Sequence, residues 1–308
     1  MDKLIVVIQT VLPVFAALGL GMLCRSKKLL TRDAIDGLKK VVVDITLPAV
    51  LLSAFATTEY SLSAVALPVL VYVLCCIALA LGFGITRLTG IKGRLAPFVS
   101  AGFEAGTLGY ALFAVAFPKE SISHFALLDL GQTLFVFTLF KLVISGKKNP
   151  GAIVKDMISS PVLLATIAGL VLGATGLYGK MADWGVQGIF NSVSDFIAAP
   201  TGMAILLVVG YDLVPREIPW KKVAGLIALR LGVVAAVLAL LLAANNWVLG
   251  GMIFPGAAVL LFLLPPPYVI PIFADEPAER VEISSALSAM TLVSMILFAA
   301  LCVAVSLG

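Results

Sequence analysis

The sequence predicts an all-α integral membrane protein with ten transmembrane helices, arranged as two five-helix repeats of opposite orientation. The chain of 308 residues is 61% hydrophobic and 12% charged, whereas soluble domains are about a quarter charged. Apolar runs long enough to cross about 30 Å of hydrocarbon recur along its whole length. Residues of the first half also recur, in order, in the second half. No segment remains for a soluble catalytic domain.

The ten spans are the apolar runs between polar breaks. The first run is too long for a signal-peptide core and lacks a small-residue cleavage site, so we expect it to stay as the first span. Cys24, Cys75, Cys76 and Cys302 have the spacing of neither a metal site nor a disulfide framework, so we expect them only to pack. The spans are placed at residues 4–23, 38–56, 62–86, 95–117, 121–144, 157–177, 184–209, 220–243, 247–273 and 280–306.

The distribution of basic residues predicts that both termini lie outside. With that orientation, the cytoplasmic loops hold 17 of the 21 lysines and arginines, as the positive-inside rule requires. Lys3, Lys119 and Lys180 lie outside, and Arg230 lies within a span. The expected location is the inner (plasma) membrane. The 17 residues are Arg25, Lys27, Lys28, Arg32, Lys39, Lys40, Arg87, Lys92, Arg94, Lys141, Lys147, Lys148, Lys155, Arg216, Lys221, Lys222 and Arg280.

An internal repeat divides the chain into residues 1–150 and 151–308. Because five spans is an odd number, the two halves have opposite orientations in the membrane. Inverted repeats are typical of secondary transporters, which alternate access to a site at the midplane, whereas a channel does not require them. The matched pairs are Pro13 with Pro161, Gly37 with Gly188, Asp44 with Asp195, Pro48 with Pro200, and, at a constant offset of 158, Pro97 with Pro255, Tyr110 with Tyr268 and Thr133 with Thr291.

Spans four and nine are the most interrupted helices. Span four contains Gly106 and Gly109, and span nine contains Pro271 and the run 265–267 of three prolines. Proline removes a backbone donor and glycine permits non-helical dihedral angles, so both spans are expected to unwind. Unwound backbone is tolerated within a membrane only where it is buried in protein or lines a watery cavity. The interruptions therefore predict a binding site at the midplane.

Glu104 lies nine residues after Leu95, which at 1.5 Å per residue is about 14 Å into the membrane. A bare carboxylate there costs about 3 kcal/mol. It is therefore expected to be protonated, to face water or to meet a cation. The alternative is a surface carboxylate, if the span is misplaced.

Other polar residues within the spans are also candidates. Asp129, Gln132 and Thr133 share one helical face at i, i+3 and i+4, where they either bind a ligand or hydrogen-bond between helices. A hydroxyl stripe that includes Ser288 and Thr291 on span ten has the same two interpretations.

Arg230 lies ten residues after Trp220, about 15 Å deep. It either neutralises a buried acid or presents its guanidinium to a substrate carboxylate. Asp44 and Asp195 on the expected scaffold are interpreted as structural or water-facing, with a proton path as the alternative. His124 is interpreted as a solvated residue near the outer end of span five.

The sequence resembles the auxin efflux carrier family over essentially its full length, and in particular the bacterial branch often described as malonate or malate permeases. The resemblance rests on Leu12-Pro13-Val14-Phe15, the basic loop 25–40 and Leu47-Pro48-Ala49. The fourth span of the family usually reads Asn, then Gly, then Gly-Leu-Pro. Here Glu104 replaces the amide and Ala111 replaces the proline, and both departures bear on the substrate and the coupling ion.

The resemblance implies crossed, broken helices in spans four and nine. It also implies a mobile transport domain of residues 62–144 and 220–306 on a scaffold of residues 4–56 and 157–209. Elevator-type movement and a homodimer formed through the scaffold helices would follow.

The leading hypothesis is a secondary active transporter, not an enzyme. It would move a small organic anion, either a carboxylate or dicarboxylate such as malonate or malate, or an auxin-like acid. No cofactor is expected; the coupling ion is H⁺ or Na⁺, with a cation placed near Glu104 and Thr133. The predicted substrate-binding residues are Glu104, Gly106, Gly109, Tyr110, Asp129, Gln132, Arg230, Pro267, Tyr268, Ser288 and Thr291.

Two alternatives remain at this point. The distantly related sodium and bile-acid symporters share the ten-span inverted architecture. Paired acids such as Asp44 and Asp195, with Tyr211-Asp212, weakly suggest an intramembrane aspartyl protease, although no Gly-x-Gly-Asp partner is present. The absence of a Walker sequence argues against an ATP-driven pump. The sequence leaves open the substrate, the direction of transport, the coupling ion and the oligomeric state.

Overall fold

The computed structural model describes residues 2–58, 62–145, 159–214, 218–274 and 276–307, and these ranges contain helices and no strands. The predicted all-α class is therefore confirmed for the described part of the chain. The boundary predicted at residues 150 and 151 lies outside it, as do four of the predicted cytoplasmic residues, Lys147, Lys148, Lys155 and Arg216.

The described part of the first half contains seven α-helices. They are α1 (Asp2–Ser26), α2 (Arg32–Val41), α3 (Leu47–Ala56), α4 (Leu62–Thr89), α5 (Tyr110–Ala116), α6 (Ser123–Phe135) and α7 (Lys141–Ser145). Single π-helical turns at Val42–Thr46 and Val136–Phe140 join α2 to α3 and α6 to α7.

The second half contains α8 (Pro161–Ala174), α9 (Leu177–Asp183), α10 (Gln187–Ala198), α11 (Thr201–Asp212), α12 (Trp220–Trp247), α13 (Pro255–Leu263) and α14 (Pro277–Leu307). The axes of α8 and α9 differ by 64°, because the chain turns at Gly176, whose φ is +70°.

Five helical stretches in the described ranges are long and apolar enough to cross a membrane, and the bent pair of α8 and α9 would make a sixth. These stretches support a multi-pass membrane protein. The count of ten spans and their inverted arrangement remain predictions. The five stretches are Ala66–Thr89, Ser123–Ser145, Gln187–Asp212, Trp220–Trp247 and Pro277–Val305.

The outer surface of α4 suits a lipid environment. Val69, Val73, Ile77 and Leu81 are exposed, with fractional exposures of 37–59%, and their spacing of four residues places them on one face of the helix. Such an apolar stripe would be costly in water and is favourable against lipid tails.

Two groups of helices pack closely. In the first group, α1 packs against α11, and α3 packs against α8 and α10. At the crossing of α1 and α11, a side chain on Gly21 would lie 2.2 Å from the carbonyl oxygen of Leu207, and one on Gly210 would lie 2.1 Å from that of Leu18. Glycine on both helices lets their backbones approach to contact distance, a common device in membrane proteins.

The second group contains the helices that position the polar site. Here α4 packs against α6 and α12, while α13 packs against α6, α12 and α14. The two groups meet where α1 contacts α5 and α14, where α11 contacts α5, and where α3 contacts α6. Buried Phe113, Phe125, Phe135 and Phe140 fill the core of the second group.

Candidate functional site

The first break in helical structure lies between the short 3₁₀-helix Ala96–Ser100 and the π-helical turn Ala105–Gly109. Gly102 adopts φ +73°, and a Cβ at this position would lie 2.8 Å from Cγ of Pro267. Only glycine combines this left-handed backbone with so close a neighbour. The break thus lies at Gly102, before the two glycines expected to cause it.

Gly106 and Gly109 both lie within the π-helical turn. A side chain on Gly109 would lie 2.5 Å from Cζ of Phe125 and 2.7 Å from Cδ1 of Leu264. Span four therefore unwinds as predicted, but at Gly102 and not at these two glycines. Close packing around Gly109 accounts for the glycine there.

The second break follows α13, which ends at Leu263, and the chain resumes a 3₁₀-helix only at Ile270–Phe273. Three consecutive prolines, 265–267, occupy the gap and offer no backbone donor. The carbonyl of Pro265 accepts a hydrogen bond of 2.9 Å from the backbone N–H of Glu104. The two breaks are therefore bonded directly to each other.

Glu104 joins the breaks a second time through its side chain. Its Oε2 accepts a 2.7 Å hydrogen bond from the backbone N–H of Tyr268. The carboxylate thereby satisfies a donor in a non-helical segment, where an unpaired donor would be costly. A hydrogen bond to an ionised acceptor is also stronger than a neutral one. Glu104, half-buried, is thus a structural link as well as a candidate site residue.

Asp129 is the centre of a buried hydrogen-bond cluster on α6. Its Oδ2 accepts from the hydroxyl of Tyr110 at 2.8 Å, and its Oδ1 accepts from Gln132 at 2.6 Å and from Thr133 at 3.1 Å. The Gln132 side-chain carbonyl accepts from the backbone N–H of Phe103 at 3.1 Å. The face predicted from the i, i+3, i+4 spacing therefore holds the first break in place.

In the second half of the chain, Tyr268 and Thr291 occupy the positions that match Tyr110 and Thr133. The hydroxyls of Tyr268 and Thr291 lie 2.9 Å apart. Thr291 donates its proton to the carbonyl of Leu287 at 2.8 Å, so Tyr268 is the donor to Thr291. At the offset of 158, Leu287 takes the position of Asp129. The buried acid thus has no counterpart in the second repeat.

Arg230, on α12, is hydrogen-bonded to both breaks. Its Nη1 donates to the carbonyls of Val99 at 3.2 Å and Gly102 at 2.8 Å, and its Nη2 donates to that of Leu264 at 2.9 Å. The guanidinium lies 4.7 Å from the ring centroid of Phe103, and the residue is 3% exposed. Its hydrogen-bond partners in the described ranges are backbone carbonyls, so the pairing with a buried acid, one of the two roles predicted, is not seen there. We infer that Arg230 satisfies acceptors freed by unwinding.

A cavity of about 400 Å³, which we call the crossing cavity, lies beside the two breaks. Its volume is within the range of small-ligand sites. Six predicted substrate-binding residues line this cavity. Thr133, which was predicted together with Glu104 to lie near a cation, lines it as well. The six are Glu104, Gly106, Asp129, Gln132, Pro267 and Tyr268.

The other five predicted residues lie elsewhere. Gly109 is packed as described above, Arg230 lines a smaller apolar cavity, and Tyr110 lines an apolar cavity on the other side of its helix. Ser288 and Thr291 line a neighbouring cavity that shares Tyr268 with the crossing cavity.

Sequence reasoning missed three residues that line the crossing cavity: Phe103, Lys39 and Lys141. Both lysines were counted only as charges that set the orientation of the chain. Lys39 lies near the end of a short polar helix, at the start of a predicted span. This position places a cation at the membrane surface, and it is the signal that could have identified Lys39.

The site offers carboxylate, amide and hydroxyl oxygens, which suit a hard cation. In the described ranges, no three His, Cys, Asp or Glu residues are grouped as in a metal centre. The cation near Glu104 and Thr133 stays a prediction.

The acids expected in the protease alternative are placed differently. Asp212 pairs with Arg32, which also pairs with Asp36 at 3.1 Å. Burial lowers the pKa of Arg32, but the carboxylates of Asp212 and Asp36 outweigh it and raise that pKa overall. Asp195 is exposed. The carboxylate of Asp212 is thus held in an ion pair with Arg32.

Comparison with known proteins identifies the family. Residues 6–155 match the family model described as membrane transport protein. No curated protein matches the chain. The matched segment, about half of the chain, contains α1 to α7, including the first break, Glu104 and the Asp129 cluster. It covers the motifs on which the resemblance rests. The match assigns residues 6–155 to the auxin efflux carrier family of membrane transport proteins.

Proposed function

We propose that this protein is a secondary active transporter of a small organic anion, such as a mono- or dicarboxylate, that works by alternating access. The observation that carries the proposal is the pair of broken helices, bonded to each other through Glu104 and bordered by a cavity with polar and charged residues in its wall. Broken helices place backbone polar groups and helix ends at a binding site within the membrane. The family membership supports transport as the activity.

The lining of the crossing cavity supports an anionic substrate. Lys39 and Lys141 provide positive charge, and the hydroxyl of Thr133 and the amide of Gln132 provide polar contacts. The carboxylate of Asp129 already accepts three hydrogen bonds from the protein, and that of Glu104 accepts one from Tyr268. These donors reduce the repulsion between the two carboxylates and an anionic ligand. The lysines attract the anion.

Glu104 is the proposed coupling residue. Protonation would remove the negative charge that strengthens its bond to the N–H of Tyr268 and would reduce repulsion of an anionic substrate. A proton bound at Glu104 therefore favours binding of the anion in the cavity. It also weakens the hydrogen bond that joins the two breaks. Sodium near Glu104 and Thr133 would have the same electrostatic effect.

The proposed mechanism is elevator-type movement. Residues 62–144 and 220–306 would form the transport domain, and residues 4–56 and 157–209 the scaffold. The packing supports this division, since α1 packs against α11, α3 packs against α8 and α10, and the π-helical turn Val42–Thr46 contacts α8, α10 and α11. We also propose ten spans in two inverted halves, both termini outside, an inner (plasma) membrane location and a homodimer through the scaffold. The apolar surface of α10, with Ile189, Val193 and Phe196 exposed, is suited to lipid or to a second copy.

Uptake by proteoliposomes tests the proposal. Purified protein is reconstituted, and entry of radiolabelled malonate and acetate is measured with and without a pH gradient and a sodium gradient. We expect saturable uptake of at least one carboxylate, stimulated by one of the gradients. If neither acid enters faster than into empty liposomes, and no small carboxylate raises the melting temperature in a binding screen, organic-anion transport is refuted.

A further inference from the structure

A second cavity, of about 380 Å³, lies between α1, α2, α11 and α14, and we call it the basic cavity. Three cationic residues, Arg25, Arg32 and Lys39, line it beside one carboxylate, Asp212. Two positive charges are therefore unmatched among the residues that form the wall. A concave site with excess charge of one sign concentrates ions of the opposite sign.

The pairing of these side chains shows which charges are available. Arg32 is held by Asp212 and Asp36. Arg25 donates one hydrogen bond, of 3.2 Å, to the carbonyl of Tyr211 and lies 5.9 Å from the centroid of its ring. In the part of the chain that the structure describes, no carboxylate pairs with Arg25 or Lys39. The guanidinium of Arg25 retains donors, and the ammonium of Lys39 retains its full charge.

Hydroxyl groups of α14 form the opposite wall. Ser284, Ser288 and Thr291 lie at i, i+4 and i+7, and all three line the cavity. The hydroxyl of Thr291 is engaged by Leu287 and Tyr268, but within the described ranges the hydroxyls of Ser284 and Ser288 have no hydrogen-bond partner. Two cations facing two available hydroxyl donors are suited to the oxygens of a carboxylate or phosphate.

The basic cavity is continuous in its lining with the crossing cavity. Lys39 and Tyr268 line both cavities, so an anion held in one lies next to the residues of the other. Arg25 lines only the basic cavity, whereas Glu104 and Asp129 line only the crossing cavity. The cavity with excess positive charge is thus separate from the cavity that contains the candidate coupling acid.

We propose that the basic cavity is a separate anion-binding site, formed by Arg25, Lys39 and Ser288, where the soluble organic anion is held before it enters the crossing cavity. The inference rests on the proposed function. The inference adds a holding site on α1 and α2. Because Lys39 lines both cavities, it passes the anion from this site toward Tyr268. Such a site raises the local concentration of substrate and so lowers KM.

The test uses the full chain in nanodiscs of zwitterionic phosphatidylcholine, with calorimetric titration of malonate and proteoliposome uptake of the same anion. Arg25→Gln and Lys39→Gln are compared with Lys40→Gln, an exposed neighbour that lines neither cavity. We expect Arg25→Gln to weaken binding about tenfold, about 1.4 kcal/mol, and to raise KM similarly at unchanged maximal rate. We expect Lys40→Gln to change either value less than twofold. Lys39→Arg, which keeps the charge, should retain binding.

The outcomes separate the two proposals. If wild-type protein binds and transports malonate and Arg25→Gln does so equally well, the holding site is refuted and the proposed function stands. If wild type neither binds nor transports any small carboxylate, the proposed function and the holding site both fall. Nanodiscs with added anionic phosphatidylglycerol distinguish a headgroup ligand, because competition of that lipid with malonate at Arg25 would assign the cavity to lipid and overturn the inference. Unchanged melting temperatures without ligand show that the variants are folded.

Discussion

Arg230 allows a sharp test of how the breaks are stabilised. Replacing it with Gln removes a guanidinium that donates three hydrogen bonds to carbonyls of both breaks and lies against the ring of Phe103. A buried acceptor that loses its donor costs about 1–3 kcal/mol, but bonds between helices in membranes average only about 0.6 kcal/mol. Three bonds at about 0.6–1 kcal/mol each give about 2–3 kcal/mol, and the cation–π contact adds about 1–2 kcal/mol.

Part of this loss is offset, because the variant no longer buries a charge. We expect a net destabilisation of about 2–4 kcal/mol, and we expect Arg230→Lys to recover less than half of it. Lysine is a point charge that lacks the fork by which arginine reaches Gly102 and Leu264 together. Arg87→Gln, at an exposed position in the last turn of α4, is the control for loss of one positive charge.

The assay combines denaturant unfolding of the purified protein with hydrogen exchange. The backbone N–H groups of Phe103 and Glu104, held in the first break by Gln132 and Pro265, should exchange faster in Arg230→Gln. They should not do so in Arg87→Gln. If Arg230→Gln keeps its stability and its exchange pattern but loses affinity for carboxylates, Arg230 contacts substrate and the structural interpretation is wrong.

Three further variants test the site. Glu104→Gln keeps an oxygen that can accept from Tyr268, so uptake should persist but lose its dependence on pH; an unchanged pH profile would place the coupling proton elsewhere. Gly102→Ala should lower stability by about 1–3 kcal/mol because of its positive φ and its close neighbour Pro267, measured against Gly84→Ala, where a Cβ meets nothing within 4 Å. Asp129→Asn should lower the melting temperature, since a neutral oxygen accepts more weakly than a carboxylate; no change would mean that the charge adds nothing.

Much of the architecture could be predicted from local patterns. The apolar runs indicated helices, the three prolines indicated the second break, and the spacing of Asp129, Gln132 and Thr133 placed them on one face of α6. These features depend on residues near one another in sequence, so periodicity and proline chemistry are sufficient to identify them.

The remaining features depend on contacts between distant parts of the chain. The first break lies at Gly102 because Pro267 crosses there, and no local pattern distinguishes this glycine from Gly106 or Gly109. The partners of Arg230 are backbone carbonyls, which carry no sequence signature. Lys39 fits the positive-inside rule, and its charge alone does not indicate that it lines a cavity.

The bond between Glu104 and the backbone of Tyr268 joins residues 164 positions apart, and this separation has a consequence for biosynthesis. A ribosome that adds about 5–20 residues per second needs roughly ten to thirty seconds to supply Tyr268 after Glu104 has been made. During this interval the nascent first half holds the acid of the predicted span four without the donor that it has in the finished protein. We therefore expect a chain truncated after α7 to be retained by the insertion machinery or degraded, and the C-terminal half to act as an intramolecular chaperone.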